Sequence, residues 1–490
     1  MKHPRTSSQF GQAIIWFLAT LAACCALLMI VYNVGQVSAE KERTTNAADA
    51  VALSAGLVQA RGMNMLAYNN RAIIANEMTI AQAASLDAWF EYNVQLTQNL
   101  ALITSWIPYV DAVTQTIADV MSQIGSVVYQ AARGITQGFQ LAVDVLEGQR
   151  KILAPAIPVA VQQMATEVAD KNNVAMNDNM AFSTLSFAKL FVDNQGFYVD
   201  HAKSGNNGND DRKAANDVIL SSRDQFTANR GPGKIIDGLN SALSFVPGIT
   251  AQLVKSSGSA KLPDFDHWEA QDSLELDAQA CLFGLCVSLP VSGPVGWGRA
   301  NTNNDGSQGQ DWAYSGNCNG YGIGSACWLA DVWNPDNIPG WNGVPDMLDV
   351  KDRNKELHFF VSVKSKDGNL PMTSERMGIA NVDLPGPQGS PRVTDNLAKV
   401  NGKAELQAIS SARIFFKRPK RDSADHTGTD LFRADQVQEY ASLYNPYWQA
   451  RLHTPNCKVL AFGEDCIARG LLYTGLGEPG AELAVDLVLQ

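Results

Sequence analysis

Charge is missing from the start of this chain. Between Arg5 and Glu40 there is no Asp, Glu, Lys, Arg or His. Within that gap, Ala13 to Tyr32 are twenty residues of almost unbroken apolar character. As a helix they are about 30 Å long, the thickness of a bilayer's hydrocarbon core. Proline is missing next. None occurs from Glu40 to Ser105, and the only glycines there are Gly56 and Gly62. A stretch so poor in turn formers and so rich in Ala, Leu, Met, Gln and Glu predicts a helix that continues from the apolar segment. Common catalytic signatures are missing too: there is no Gly-x-Ser-x-Gly, no His-Glu-x-x-His and no phosphate-binding loop. The six histidines (His3, His201, His267, His358, His426 and His453) are scattered. Neither an enzyme, nor a cofactor, nor a metal site is expected. A net charge of −11 and a pI near 5.1 exclude nonspecific nucleic-acid binding.

The leader before the span carries Lys2, His3 and Arg5 and no acid, whereas Glu40, Lys41, Glu42 and Arg43 beyond it cancel. Positive flanks stay in the cytoplasm, so the N-terminus is expected inside and the bulk of the chain in the periplasm or outside the cell. Two processing signals compete with a retained anchor. Val37-Ser38-Ala39 offers small residues to signal peptidase, and Leu21-Ala22-Ala23-Cys24 spells a lipoprotein box. The apolar run exceeds the roughly 7–15 residues of a signal core, and it stays apolar from Cys25 to Val31 beyond the box. A retained single-pass anchor in membrane lipid is therefore the reading taken.

Past the span, Asn46, Ala47, Ala48, Asp49, Ala50 and Ala52 form a small-residue helix surface that lets another helix approach closely, either another subunit or the chain's own next helix. The leader Gln9-Phe10-Gly11-Gln12-Ala13, the span and the run Glu42 to Gly56 together resemble the N-terminus of the Tad (Flp) pilus-assembly proteins of the TadE/TadG-like group. A second patch, Tyr440 to Leu452, resembles the C-terminal region of large TadG-like members. The resemblance implies a non-enzymatic pilus component whose N-terminal helix packs against other pilins or assembly proteins. Two departures stand out. The fifth position after Gly11 is Trp16, where peptidase-processed prepilins carry Glu, and the Asp-x-Ser-x-Ser metal site of some TadG-like proteins is absent.

The expected fold class is α+β. A cytoplasmic leader (1–12) and transmembrane helix (13–35) lead into a helical stalk or bundle (36–190). Pro108, Pro155 and Pro158 divide this into helices near 112–153 and 159–190. Val113, Ile117, Val120, Ile124, Val127 and Val128 recur at helical spacing and predict a packed hairpin. A mixed segment with flexible linkers (191–263) precedes a β-rich domain with long loops (264–425) and a helical C-terminal segment (426–490), with helix expected over Asp435–Leu452.

Six cysteines fall in three local pairs, Cys281 with Cys286, Cys318 with Cys327, and Cys457 with Cys466. Their spacing does not suit zinc, and disulfides in an oxidising compartment are expected. Trp297, Trp312, Trp328, Trp333 and Trp341, with Tyr314 and Tyr321, crowd a region rich in Gly, Asn and Asp. Flat rings beside polar side chains suit a glycan or a protein ligand, or else fill gaps in a loop-rich core. Asn301-x-Asn303-x-Asp305-Gly306 opens like a calcium loop, but its twelfth position is Trp312, so an Asn-rich turn is the better reading. Arg230-Gly231-Pro232-Gly233-Lys234 and Lys417-Arg418-Pro419-Lys420-Arg421 read as solvated charges at turns and strand ends. Three roles follow: pilus assembly first, a pilus-tip or surface adhesin using the tryptophan region second, and a membrane-anchored enzyme third.

Overall fold

The computed structural model describes residues 12–105, 110–176, 198–200, 208–231, 236–237, 240–241, 249–262, 267–282, 285–288, 293–303, 324–332, 336–351, 356–366, 399–400, 403–404, 407–418 and 440–453. Two helices dominate. Helix α1 (Gln12–Thr104) is 93 residues long, about 140 Å at the usual rise. Helix α2 (Val110–Lys171) runs back beside it for 62 residues. The break between them brackets Pro108, as expected.

The other two prolines behave differently. α2 passes through Pro155 and Pro158 without ending. Each proline removes a hydrogen bond and crowds the preceding turn, at a cost of about 3 kcal/mol in an ordinary helix. Here Ile157, between them, is buried over Gly62 of α1, where an added Cβ would lie 2.6 Å from Ile157 Cγ1. That contact holds the helix through the interruption. α2 then stops at Lys171, short of the expected Leu190. Asn173 takes a left-handed conformation (φ 57°), which a short polar side chain tolerates, and the chain enters strand β1 (Val174–Met176).

The remaining elements are β2 (Tyr198–Asp200), α3 (Gly208–Ser221), α4 (Gln225–Ala228), β3 (Ile249–Lys261), β4 (Trp268–Leu282), β5 (Leu285–Ser288), β6 (Gly293–Asn303), α5 (Ala326–Val332), β7 (Asp336–Pro339), β8 (Leu348–Val350), β9 (Leu357–Ser365), β10 (Lys399–Val400), β11 (Lys403–Ala404), β12 (Gln407–Phe416) and β13 (Trp448–Leu452). One antiparallel sheet has the order β1-β9-β12-β13. A second has the order β3-β4-β6-β7, with β5 also on β4; only the β6–β7 pairing is parallel. Pairs β2-β8 and β10-β11 stand apart. The fold is thus α+β. Its C-terminal part departs from the expected helix, since Trp448–Leu452 is a strand. The reason is cross-strand packing: Phe416 lies opposite Trp448, with ring centroids 5.5 Å apart, so the aromatic pair fixes the edge of the sheet.

The sheets do not sit beyond the helices but on them. Three hydrophobic clusters follow one another along α1. The first joins Ala47 to Leu66 with α2, β9, β12 and β13. The second joins Ile73 to Ala88 with β4, β6, β7 and α3. The third surrounds Tyr92. Helix and sheets meet at backbone distance. An added Cβ on Gly56 of α1 would lie 2.9 Å from Ala412 of β12, and one on Gly298 of β6 would overlap the Ala88 carbonyl and Tyr92 amide nitrogen of α1. We expect Gly298→Val to push β6 off the helix and cost about 1–3 kcal/mol, read as an earlier midpoint in chemical denaturation of the detergent-solubilised chain; an unchanged midpoint would contradict this packing.

Candidate functional site

Helix α1 changes character along its length. In its first part the apolar side chains point outward: Trp16 is 74 % exposed, and no residue of the most apolar window is buried. That stretch fits a membrane anchor by length and composition. From Thr44 one face turns inward, and Val51, Ala52 and Ala55 have no exposed surface. Ala47 and Ala48 are buried with them, Ala50 is half-buried and Asn46 is exposed. Asp49 accepts a 2.5 Å hydrogen bond from Ser410 of β12. The small-residue surface is therefore covered by this chain's own elements: Val161, Ala165 and Ala169 of α2 and the β9–β12 sheet.

Asparagines pin the same helix to its surroundings. Asn64 Nδ2 donates to Trp448 O, and Asn64 Oδ1 accepts from Trp448 N, both at 2.9 Å, as a neighbouring strand would. Asn70 Nδ2 donates to Leu348 O (2.7 Å) and Leu443 O (2.9 Å). Asn69 reaches Leu146 O of α2 at 3.0 Å, and Asn99 reaches Val295 O of β6 at 2.9 Å. Asparagine is a poor helix former because its amide competes for backbone groups. Its recurrence inside an alanine-rich helix is the sequence signal for these clamps, and one that sequence reasoning missed.

Deeper along α1 lie buried acids that no motif announced. Glu77 has no exposed surface and accepts from two indoles, Trp268 Nε1 at 3.2 Å and Trp341 Nε1 at 3.4 Å. Burial pushes its carboxyl up to about 8, against the pull of the two donors. Near the far end of the second cluster, Asp87 is pushed up to about 8 by burial and then by the like charges of Asp336 and Glu91. Burial and Glu91 raise Asp336 to about 6. Other buried acids are paired. Asp272 meets Arg230 and Lys255, each at 2.8 Å, and Glu269 meets Arg299 at 2.9 Å. Arg230 is thus a buried ion-pair member and not the solvated turn charge expected, because β4 brings Asp272 to it.

The expected ligand surface is divided. Trp341 is fully buried against Glu77, and Trp297 and Trp328 are half-buried. Trp312, Trp333, Tyr314 and Tyr321 lie outside the described residues. Asn301 and Asn303 end β6 as strand residues, with Asn301 Nδ2 donating to Asn337 of β7 at 3.1 Å. Cys281 and Cys286 fall directly opposite each other in the β4–β5 ladder, and Cys327 is buried 3.1 Å from Ser273 Oγ. Cys318, Cys457 and Cys466 lie outside the described residues. His358 packs edge-on against His453, with ring centroids 5.3 Å apart. The apolar face Val113, Ile117, Val120, Ile124 and Val127 does not form the hairpin contact; all five side chains are exposed.

Comparison with known proteins then bears on the apolar end of α1. Residues 11–61 match the Flp pilus-assembly TadE/G-like family (Tad). The TadE/G-like segment comprises the apolar span and the small-residue face, and it ends just before the first asparagine clamp at Asn64. No curated protein matches the chain, and no solved structure does.

Two outcomes are expected from this geometry. Glu77 is raised in the folded chain from an ordinary value of 4.5 to about 8. Its protonation therefore favours folding fully below about pH 4.5, and that contribution fades as pH rises toward about 8. The melting temperature of wild type minus that of Glu77→Gln should fall across this window; a pH-independent difference would contradict it. Asn64→Ala leaves both backbone groups of Trp448 without their partner and should cost about 1–3 kcal/mol, whereas a variant as stable as wild type would show the clamp to be idle.

Proposed function

We propose that this chain is an assembly component of a Tad/Flp-type pilus or a related secretion machine, in a minor-pilin-like or pilus-anchoring role. The observation that carries the reading is one uninterrupted helix whose TadE/G-like part begins bare and apolar and, from Thr44 on, turns one face into the chain's own core. Such a helix joins a bilayer anchor rigidly to everything folded on it. In this reading the anchor sits in the bacterial inner membrane with the N-terminus cytoplasmic, the sheets face the periplasm or the cell exterior, and other pilus proteins contact the helix pair. Three local disulfides, Cys281–Cys286, Cys318–Cys327 and Cys457–Cys466, complete it; the opposed positions of the first pair in one hairpin support that bridge.

The adhesin alternative now rests on fewer rings. Trp297 and Trp328 retain partial exposure on the neighbouring elements β6 and α5, whereas Trp341 is committed to the core. Loss of glycan-array binding on Trp297→Ala and Trp328→Ala would favour it. The assembly reading is tested by intact mass and N-terminal sequencing of the protein from washed membranes and sheared pili. A chain that keeps its apolar segment and fractionates with membrane or pilus material is expected; a soluble product beginning at Glu40 would overturn it.

A further inference from the structure

The strongly exposed large apolar side chains of α2 all lie on one line. From Val113 to Val159, steps of four and three residues alternate without a break through 14 positions, and none of the 14 is polar. Nine of them are large and exposed, Ile152 by 73 %. The line is about 69 Å long, and its 3.5-residue period is that of a left-handed two-helix seam. The opposite face of α2 is already occupied: Ala132, Val143 and Ile157 are buried in the clusters shared with α1. The seam's middle is thin. Ala131, Gly134 and Gly138 occupy it, and an added Cβ on Gly134, Gly138 or Gly148 would meet nothing within 4 Å.

We propose that this seam pairs with the same seam of a second copy of the chain, the two α2 helices running parallel and in register. Four features select that occupant. The seam's length calls for another long helix bearing the same repeat, which a second α2 supplies. One of its two alternating layers is built mainly from the β-branched residues Ile117, Ile124, Val145, Ile152 and Val159, the type parallel pairs favour in that layer, and the other carries Val113, Val120, Val127 and Leu141. The residues flanking that layer are Thr116, Gln123, Gln130 and Gln137, followed only late by Asp144 and Lys151. A second copy therefore meets almost no like charge, and a partner chosen by charge would find little to read. Direction comes from the anchor, so the proposal rests on the membrane reading above. Two copies in one bilayer point the same way, and α2 returns to the anchored end, where Lys171 and Asn172 line a cleft with Arg43 and Asn46.

Cysteine cross-linking of the full-length chain in membranes tests this, on a Cys24→Ser, Cys25→Ser background. Ile117→Cys, Val127→Cys, Leu141→Cys and Ile152→Cys should each give a covalent homodimer, at least 10-fold above Asp119→Cys and Ser122→Cys off the seam. Products confined to positions near Gly134 and Gly138 would mean an antiparallel pair and overturn the proposal. A product with a different polypeptide would overturn it as well, and so would seam cysteines that react only with a lipid-phase or an aqueous label. As a second measure, Ile124→Lys with Leu141→Lys should weaken self-association in detergent at least 10-fold by sedimentation, with unchanged helix content because both side chains are exposed in the single chain; undiminished association would overturn the seam. Alkaline extraction separates the two readings. A retained chain without seam products sinks the pairing alone, and an extracted chain that still forms them sinks the anchor alone.

Discussion

Everything folded in this chain depends on how closely other backbone can approach one helix. α1 carries alanines and glycines where β12, β6 and α2 cross it, so the helix is thin at each crossing and the neighbours reach its main chain. Close approach on this scale maximises dispersion contacts and leaves no room for a larger side chain. It also strands backbone polar groups at strand ends, which need partners. The asparagines of α1 supply them, at Trp448, Leu348, Leu443 and Val295. Small residues for proximity and amides for the ends are two parts of one solution.

The order of the cores along the helix has a consequence for assembly. The cluster nearest the apolar segment takes most of its strand residues from β8, β9, β12 and β13, late in the chain, and the more distant cluster draws on β3, β4, β6 and β7. Asn64 and Trp448, which clamp each other, are 384 residues apart. The core nearest the apolar segment therefore cannot close until the chain has been made through Leu452. Contacts of such separation carry a large loop-closure cost before they reward folding. α1 offsets part of that by presenting a preformed surface, since a helix forms from local contacts.

Buried acids mark the middle of this surface. Glu77 sits where two indoles from β4 and from the loop after β7 converge, and Asp87, Glu91 and Asp336 crowd the junction of α1 with β7. The cost of Glu77 and Asp87 is tolerated because the surrounding packing over-determines their positions, and protonation relieves it. None of this was legible beforehand. Glu77 looks like one more helix-favouring residue in a helical stretch, and the tryptophans that hold it come from about 190 and 264 positions downstream. The density of tryptophans is plain from the residues alone, yet Trp341 goes inward, because only the fold shows which ring faces a buried carboxyl.

What the residues alone determine here is local. Absence of charge and of proline specifies the span and the length of α1, the alanine run marks a face for close packing, and alternation marks β9 and β12. These properties need only near neighbours in the chain. What the tertiary structure decided is partnership. It set the small-residue face against the chain's own α2 and sheet, carried α2 through Pro155 and Pro158, made Trp448–Leu452 a strand, and left the seam from Val113 to Val159 facing outward. Apolar spacing says that a face must be covered; which surface covers it depends on the shapes of elements hundreds of residues away.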